Sequence, residues 1–345
     1  MSQLFKVFIE KEALEDIILL DDKYPNLNAI FGSGNCEFFI NINEDDLEAI
    51  LTDGESDLRK FSDSHDLSFT RYQSSPEDFA QLYHDEKLDI RDGRVIYIVD
   101  EDTSKASSLQ NKYGVFVLSC KDIRDNLFEF GYTLNCDKGD NINGEGTTGW
   151  ENLLNQVDLP PVNSIVITDD HLLDNMDHGV NVGESNMIDF LNAVLPENIV
   201  SPIHVTILSS ANKNKSSKIA KRIIEAVSKL KGNIYIDVDY CNTLHKRRII
   251  SNYFVIEADW GFKLFETRDE RKSHYYHDNE IKIESIFNDI KFRGDICLNI
   301  SYSDLDKIQK IRENLKRQSD SVNDPTKKII KSSDVMPDNR LFSDL

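Results

Sequence analysis

The chain has little cysteine, and what it has is scattered. Its five cysteines, Cys36, Cys120, Cys136, Cys241 and Cys297, are odd in number and show no Cys-x-x-Cys spacing. That argues against a disulfide framework or a zinc site and for reduced, buried thiols. The Gly-x-Gly of Phe31-Gly32-Ser33-Gly34 lacks the third glycine of a dinucleotide fingerprint and reads as a tight turn. No apolar run approaches the length of a transmembrane helix. The opening residues, MSQLFKVFIEKEALEDI, lack the basic start and long apolar core of a signal peptide. These absences lead to the expectation of a soluble, cytoplasmic protein. Positive charge is also short, with 40 Lys and Arg against 61 Asp and Glu, a formal net charge of -21. Such a surface repels nucleic acid and anionic membrane over most of its area. Any site for phosphate or nucleic acid must therefore be a local basic patch.

What is present suffices for two α/β domains. At 345 residues, two domains are the natural expectation, and 39% hydrophobic residues can fill their cores. In the first half, apolar runs at Lys6–Ile9, Glu37–Ile42, Arg94–Val99 and Val115–Leu118 read as strands. Helical spacing follows at Glu10–Leu20, after Asn43 and from Asp102 to Lys112, with a further helix near Pro76–Leu88. Strands alternating with helices predict a parallel, three-layer sheet. Lys138–Gly149 is rich in Gly, Asn and Asp and reads as a linker, closed by a short helix and Pro160-Pro161. The second half predicts strands at Asn163–Thr168, His204–Leu208 and Ile234–Val238, helices at Asp189–Leu195 and Ser217–Lys229, and a last helix over Asp304–Arg317 capped by Ser303. The remaining Gln318–Leu345 is expected to be a flexible tail.

One stretch, Asn242 to Glu266, concentrates chemistry. It holds the basic tetrad His245-Lys246-Arg247-Arg248 between two strand-like runs. Imidazole and guanidinium groups at a strand edge can grip a phosphate, and they can equally form a solvated turn. The spacing His245-x-Arg247-x4-Asn252 resembles the His-x-Lys-x4-Asp signature of the phospholipase D superfamily, with Arg for lysine and Asn for aspartate. The run from Ser164 to Phe265 also resembles, in order and spacing, the phospholipase D-like domain at the C-terminus of MIT-domain proteins. Ile165–Asp170 matches its acid-ended opening strand, and Ile207-Leu208-Ser209-Ser210 its hydroxyl-ended middle strand. Thr243-Leu244-His245-Lys246-Arg247 matches its motif turn, with Lys246 where that family has aspartate, and Gly261–Phe265 matches its ending. The resemblance implies a noncatalytic scaffold that holds a phosphate-bearing ligand or a partner protein near His245, Lys246, Arg247 and Arg248. Were it active, it implies His245 as nucleophile with Arg247 and Asn252 as companions. A single motif copy would then require a homodimer.

The first half offers acids at strand ends: Glu10, then Glu44, Asp45 and Asp46, then Asp100 and Asp102. Acids at the carboxyl ends of parallel strands can converge on a metal ion. The segment from Val99-Asp100-Glu101-Asp102 to Ser119 is similar to the closing part of PIN-domain ribonucleases, with Glu10 at the opening acid position. That implies Mg²⁺ held by Glu10, Asp100 and Asp102. His274 and His277 make at most half a metal site, and His171 and His178 beside Asp169, Asp170, Asp174 and Asp177 raise the same question. The expectation is a PIN-like or Rossmann-like domain over 1–137, a linker over 138–162, a phospholipase D-like domain over 163–317 and a tail over 318–345. The expected function is noncatalytic binding or regulation, by analogy in a prokaryotic defence setting. The alternatives are a nuclease, of phospholipase D or PIN type, and an assembly protein without a small ligand.

Overall fold

The computed structural model describes residues 5–19, 27–31, 36–42, 44–72, 94–121, 128, 130–137, 141–142, 149–173, 182–197, 199–210, 216–231, 234–241, 246–269, 272–275, 277–290, 295–319, 328–332 and 338–342. The first domain contains β1 (Phe5–Glu10), α1 (Lys11–Leu19), α2 (Asn28–Phe31), β2 (Cys36–Asn41), α3 (Glu44–Thr52), α4 (Asp57–His65), β3 (Phe69–Tyr72), β4 (Val95–Val99), α5 (Thr103–Tyr113) and β5 (Phe116–Ser119). Its five strands are all parallel, in the order β3-β2-β1-β4-β5. The chain winds outward from β1 to β3, then crosses back to β4 and β5. The winding direction therefore reverses between β1 and β4, where such sheets bind ligands at their carboxyl ends. Strands β4 and β5 are buried along their whole length, which is why they read as continuous apolar runs.

The second domain is built on a mixed eight-stranded sheet. In chain order come β6 (Gly131–Cys136), β7 (Asn141–Ile142), α6 (Gly149–Leu154), β8 (Ser164–Thr168), α7 (Val182–Val194), β9 (Ile203–Ser209), α8 (Ser216–Leu230) and β10 (Ile234–Tyr240). Then follow β11 (Arg248–Ser251), β12 (Phe254–Ala258), β13 (Phe265–Asp269), β14 (Lys272–Tyr275), β15 (Asn279–Ser285), β16 (Asp289–Ile290), β17 (Asp295–Ile296), α9 (Cys297–Ser319) and β18 (Lys328–Lys331). The order is β18-β10-β9-β8-β11-β12-β15-β6, with β8, β9 and β10 parallel and the other pairings antiparallel. Apolar side chains of both domains form one continuous buried cluster. No described helix is long and apolar enough to cross a membrane.

The domains meet through the amino ends of their strands. Tyr253, fully buried after β11, donates its hydroxyl to the Val95 carbonyl at 2.6 Å and accepts the Phe116 N–H at 3.0 Å. Its ring packs on Phe116 with centroids 4.5 Å apart. Beside it, the Asn252 carbonyl oxygen accepts the Asn163 and Ser164 N–H groups, and the Asn163 amide donates to the Tyr113 carbonyl. Ser201 donates to the same carbonyl at 2.7 Å. Arg94, only 2% exposed, donates to the Ser301 hydroxyl and lies 4.2 Å from the centre of the Tyr302 ring, joining β4 to α9. With the amino ends pressed together, the two carboxyl edges face opposite ways.

Several expectations need correction. Residues 53–72, which in sequence read as mostly polar with little periodicity, hold α4 and β3, because Leu58 and Phe61 supply a buried stripe and Ser56 caps the helix. Strand β6, inside the expected first domain, pairs with β15 of the second sheet. The expected linker contains β7 and α6, whose Trp150 is fully buried. Ser303 lies within α9, which starts at Cys297. The tail is not free over its whole length: β18 extends the second sheet, and Asn339, Leu341 and Phe342 are buried. Asn339 donates to the Ile165 carbonyl at 2.9 Å and the Thr206 hydroxyl at 3.2 Å. The helix expected near Pro76–Leu88 lies outside the described residues.

Two measurements probe this architecture. Gly114 ends α5 at φ +64°, and a Cβ there would sit 2.6 Å from Ile199 Cδ1 and 3.0 Å from the Val162 carbonyl oxygen. Gly114→Ala is expected to lower stability by about 2–3 kcal/mol, combining the left-handed penalty with overpacking at the junction. An unchanged urea midpoint would contradict the packing. The second concerns His204, whose Nδ1 accepts the Arg340 N–H at 3.2 Å and whose burial, helped by the Arg340 charge, holds its pKa down at about 3. The unfolded histidine protonates near 6.5, so stability present above that pH is lost as pH falls toward 3, at about 1.4 kcal/mol per unit. Urea titrations between pH 6.5 and 4 should show a flatter acid limb for His204→Gln than for the parent chain. Parallel limbs would rule this histidine out as the cause.

Candidate functional site

At the carboxyl edge of the first sheet, Glu10 closes β1 and Asp100 follows β4, the two strands that flank the crossover. The Glu10 carboxylate, 8% exposed, accepts the Asp100 N–H at 2.8 Å. Burial is the main force raising the Glu10 pKa, with the Asp100 N–H pulling the other way. Asp16 of α1 and Cys120 beyond β5 complete the group. The Cys120 thiol lies 3.8 Å from Asp16 and 3.7 Å from Asp100, and one donor atom from each of the three falls within 4.8 Å of the others. Burial, reinforced by the charges of Asp100 and Asp16, pushes the Cys120 thiol up to about 12. Lys121 supplies the counter-charge, 3.0 Å from Asp100.

Of the three acids expected to share a metal, the structure gathers Glu10 and Asp100 and leaves Asp102 out. Asp102 is exposed and occupies the N-cap position of α5, its carbonyl accepting the Lys105 and Ala106 N–H groups. Asp46 pairs with Lys11 at 3.5 Å. The gathered set is a poor match to Mg²⁺, which prefers an octahedron of oxygens. One corner is a thiol, Asp100 already faces an ammonium group, and Glu10 is turned onto a backbone N–H. Sequence reading missed Asp16, Cys120 and Lys121. The signal was faint: a helix residue and two residues just past the neighbouring strand.

The other carboxyl edge holds the basic stretch. His245 lies outside the described residues, as do His178, Asp174 and Asp177. Lys246 reaches Asp304 of α9 at 2.6 Å, and Arg248 grips the other Asp304 oxygen together with Glu257. Arg247 donates to the Asp259 carbonyl. Lys246 and Arg248 thus share one buried carboxylate, while Arg247 reaches the Asp259 backbone. Asn252 is not among them. It sits beyond the far end of β11, five residues from Arg247, which along an extended strand is roughly 16 Å.

Asp169, 2% exposed, ends β8 in this edge and serves as an anchor for backbone: its oxygens accept the His171 and Phe262 N–H groups, each at 2.9 Å. Burial is the main force raising its pKa. Gly261 adopts φ +91° against it, where a Cβ would meet Asp169 Oδ2 at 2.5 Å. Asn279 clamps the same loop, accepting the Trp260 N–H and donating to the Gly261 carbonyl. The loop is held from both sides while Trp260 stands 69% exposed. His274 lies in β14.

No family model matches the chain, and no curated protein matches it. Among solved structures, the archaeal chromatin protein TrmBL2, described as showing a novel mode of DNA binding, aligns at 13% identity over 66% of this chain and 62% of that one, with a TM-score of 0.22. A likeness at that score carries no argument about fold or function.

The first edge makes a chemical prediction. Cys120, 2% exposed with its thiol held near 12, should react with iodoacetamide at pH 8 far more slowly than the partly exposed Cys36. Peptide mass spectrometry over a time course reads the two rates. Equal rates would mean that the thiol is neither buried nor flanked by carboxylates.

Proposed function

We propose that this chain is a noncatalytic binding and regulatory protein, a phospholipase D-like module joined to a PIN-like or Rossmann-like domain. Its ligand is a phosphate-bearing molecule, taken at the rim of Lys246, Arg247 and Arg248. The observation that carries the reading is the separation of Asn252 from the cations. Asn252 is fully buried at the domain junction, where it holds two backbone N–H groups of the β8 entry. Asn252 therefore does not take the orienting role of the superfamily's aspartate, while Lys246 and Arg248, which attract phosphate, stay together. Asp304 acts as an internal competitor, because a bound phosphate must draw Lys246 and Arg248 away from it.

A second reading, a metal-dependent nuclease, rests on Asp16 and Asp100 lying together at the crossover edge, with Glu10 on the Asp100 N–H. The thiol and the ammonium group within that set weigh against it.

The two readings separate in one set of assays. The full chain is incubated with labelled single- and double-stranded DNA and RNA in Mg²⁺, Mn²⁺ or EDTA. No cleavage is expected. Metal-dependent cleavage lost in Asp100→Asn would replace the binding reading with the nuclease. Cleavage that survives EDTA and disappears in His245→Ala would make the second domain an enzyme. For binding, pyrophosphate is the probe in calorimetry. Asp304→Asn, although destabilising by about 3 kcal/mol through loss of a buried pair, should tighten pyrophosphate binding several-fold. Charge reversal at Arg247 and Arg248 should abolish it. Identical affinities across these variants would sink the proposal.

A further inference from the structure

A cleft of about 780 Å³ opens between the domains, away from both carboxyl edges. One wall is the exposed side of α5, at Gln110 and Asn111. The other comes from the second domain: the connector that runs through Asp158 to Pro161, the end of α7 and Lys231. Its size and its place at a domain boundary are those of a small-molecule site.

The polar groups of the cleft are unevenly satisfied. Lys231 is only 6% exposed, and its ammonium donates to the Leu195 carbonyl at 2.9 Å. That bond caps the end of α7 and uses one of three donors. No carboxylate of the described residues lies within ion-pair distance of it, although Glu197 on the same rim contributes a more distant negative charge. A cation this buried without an ionic partner is costly, and burial accordingly lowers its pKa. Asn192, also lining the cleft, has a side-chain oxygen that water does not reach and no donor serves. The site therefore lacks an anion at Lys231 and an N–H donor at Asn192, with Asp158 close by to favour positive charge. Pro160 and Pro161 add a rigid apolar wall.

We propose that this interdomain cleft binds a small amino-carboxylate, a free amino acid, with its carboxylate on Lys231 and its ammonium group toward Asn192 and Asp158. The Asn192 amide turns to meet the incoming donor. The aliphatic part of the ligand rests on the two prolines. Because the walls belong to different domains, the bound molecule bridges α5 to α7 and acts as an effector of the junction. This site is independent of the phosphate rim.

The test is calorimetry and thermal shift on the full chain with a panel of free amino acids, and with acetate and butylamine as half-ligands. At least one amino acid should bind with a Kd below roughly 1 mM and raise the Tm, as mass action requires. Acetate and butylamine should each bind at least about tenfold more weakly. Lys231→Met should weaken the amino acid at least about tenfold, with circular dichroism reporting the fold. Asn192→Leu, which leaves Lys231 in place, should weaken the amino acid while acetate binding is unchanged. Absence of any heat or shift with every amino acid at about 10 mM would overturn the proposal. So would a folded Lys231→Met that binds like the parent, or, should that variant not fold, an Asn192→Leu that does.

Discussion

The arrangement of this protein depends on hydrogen bonds between backbone ends and two adjacent side chains, Asn252 and Tyr253. A strand that enters a sheet leaves its first N–H and C=O groups without partners, and burying them unpaired costs about 1–3 kcal/mol each. Here the second domain answers that need for the first domain and for itself. Tyr253 takes the Phe116 N–H and gives its proton to the Val95 carbonyl, so two strand starts of the first sheet are satisfied by one hydroxyl of the second domain. Asn252 does the same for the start of β8, and Asn163 passes the contact on to the last turn of α5. Apolar contact alone is tolerant of sliding. Directional bonds of this kind fix one orientation, and that orientation turns the amino edges inward and the carboxyl edges outward.

Charge is arranged on the same economy of partners. In a chain with 21 more acids than bases, several basic residues serve buried carboxylates. Arg312, 2% exposed, takes Asp237 and Asp239 together, two aspartates of β10 that are completely buried. Burial still pushes Asp239 up to about 6 against the attraction of Arg312. Lys246 and Arg248 perform the corresponding service for Asp304. A basic cluster in such a chain is first a counter-charge and only then a ligand site, so its affinity for an outside anion is set by how easily it leaves its internal partner. Arg94 and Lys231 stand apart. Both are buried cations at the domain boundary, and neither has a carboxylate in ion-pair contact among the described residues.

How much of this was legible in the sequence follows from where each signal resides. Runs such as Val95–Val99 and Ile165–Thr168 announce themselves because a strand covered on both faces must be apolar throughout. The α/β class and the parallel first sheet follow from them. Strand β6 alternates exposed and half-buried residues, and β18 is a single Lys-Ile-Ile-Lys; such edges gain their hydrogen bonds only once a neighbour exists. The same holds for Leu341 and Phe342, which look isolated in sequence and find the core in space. Glu10 and Asp100 were legible as site residues because strand ends are recognisable. Asp16 and Cys120 were not, since their approach depends on how α1 and the end of β5 fold over the edge. The structure sets Asn252 at the far end of β11 from Arg247 for a geometric reason. A spacing that joins residues across a turn separates them when the chain between is extended, and β11 is extended.

The consequence for function lies in the geometry of opposite poles. Two sites at facing edges could share a ligand, and cooperation between them would need no change in the protein. Sites at outward edges, separated by two sheets and a junction, can influence one another only through elements that touch both domains. Among the described residues those elements include Tyr253 after β11, Arg94 with α9, and the end of α5, whose Tyr113 carbonyl holds Asn163 and Ser201. Val200 donates to the Lys112 carbonyl in the same turn, so two segments of the second domain close around one helix end of the first. A rotation of α5 must break several of these bonds at once, which makes the junction favour discrete positions over gradual bending. The helix end between the domains is therefore the place from which a small displacement would reach both edges.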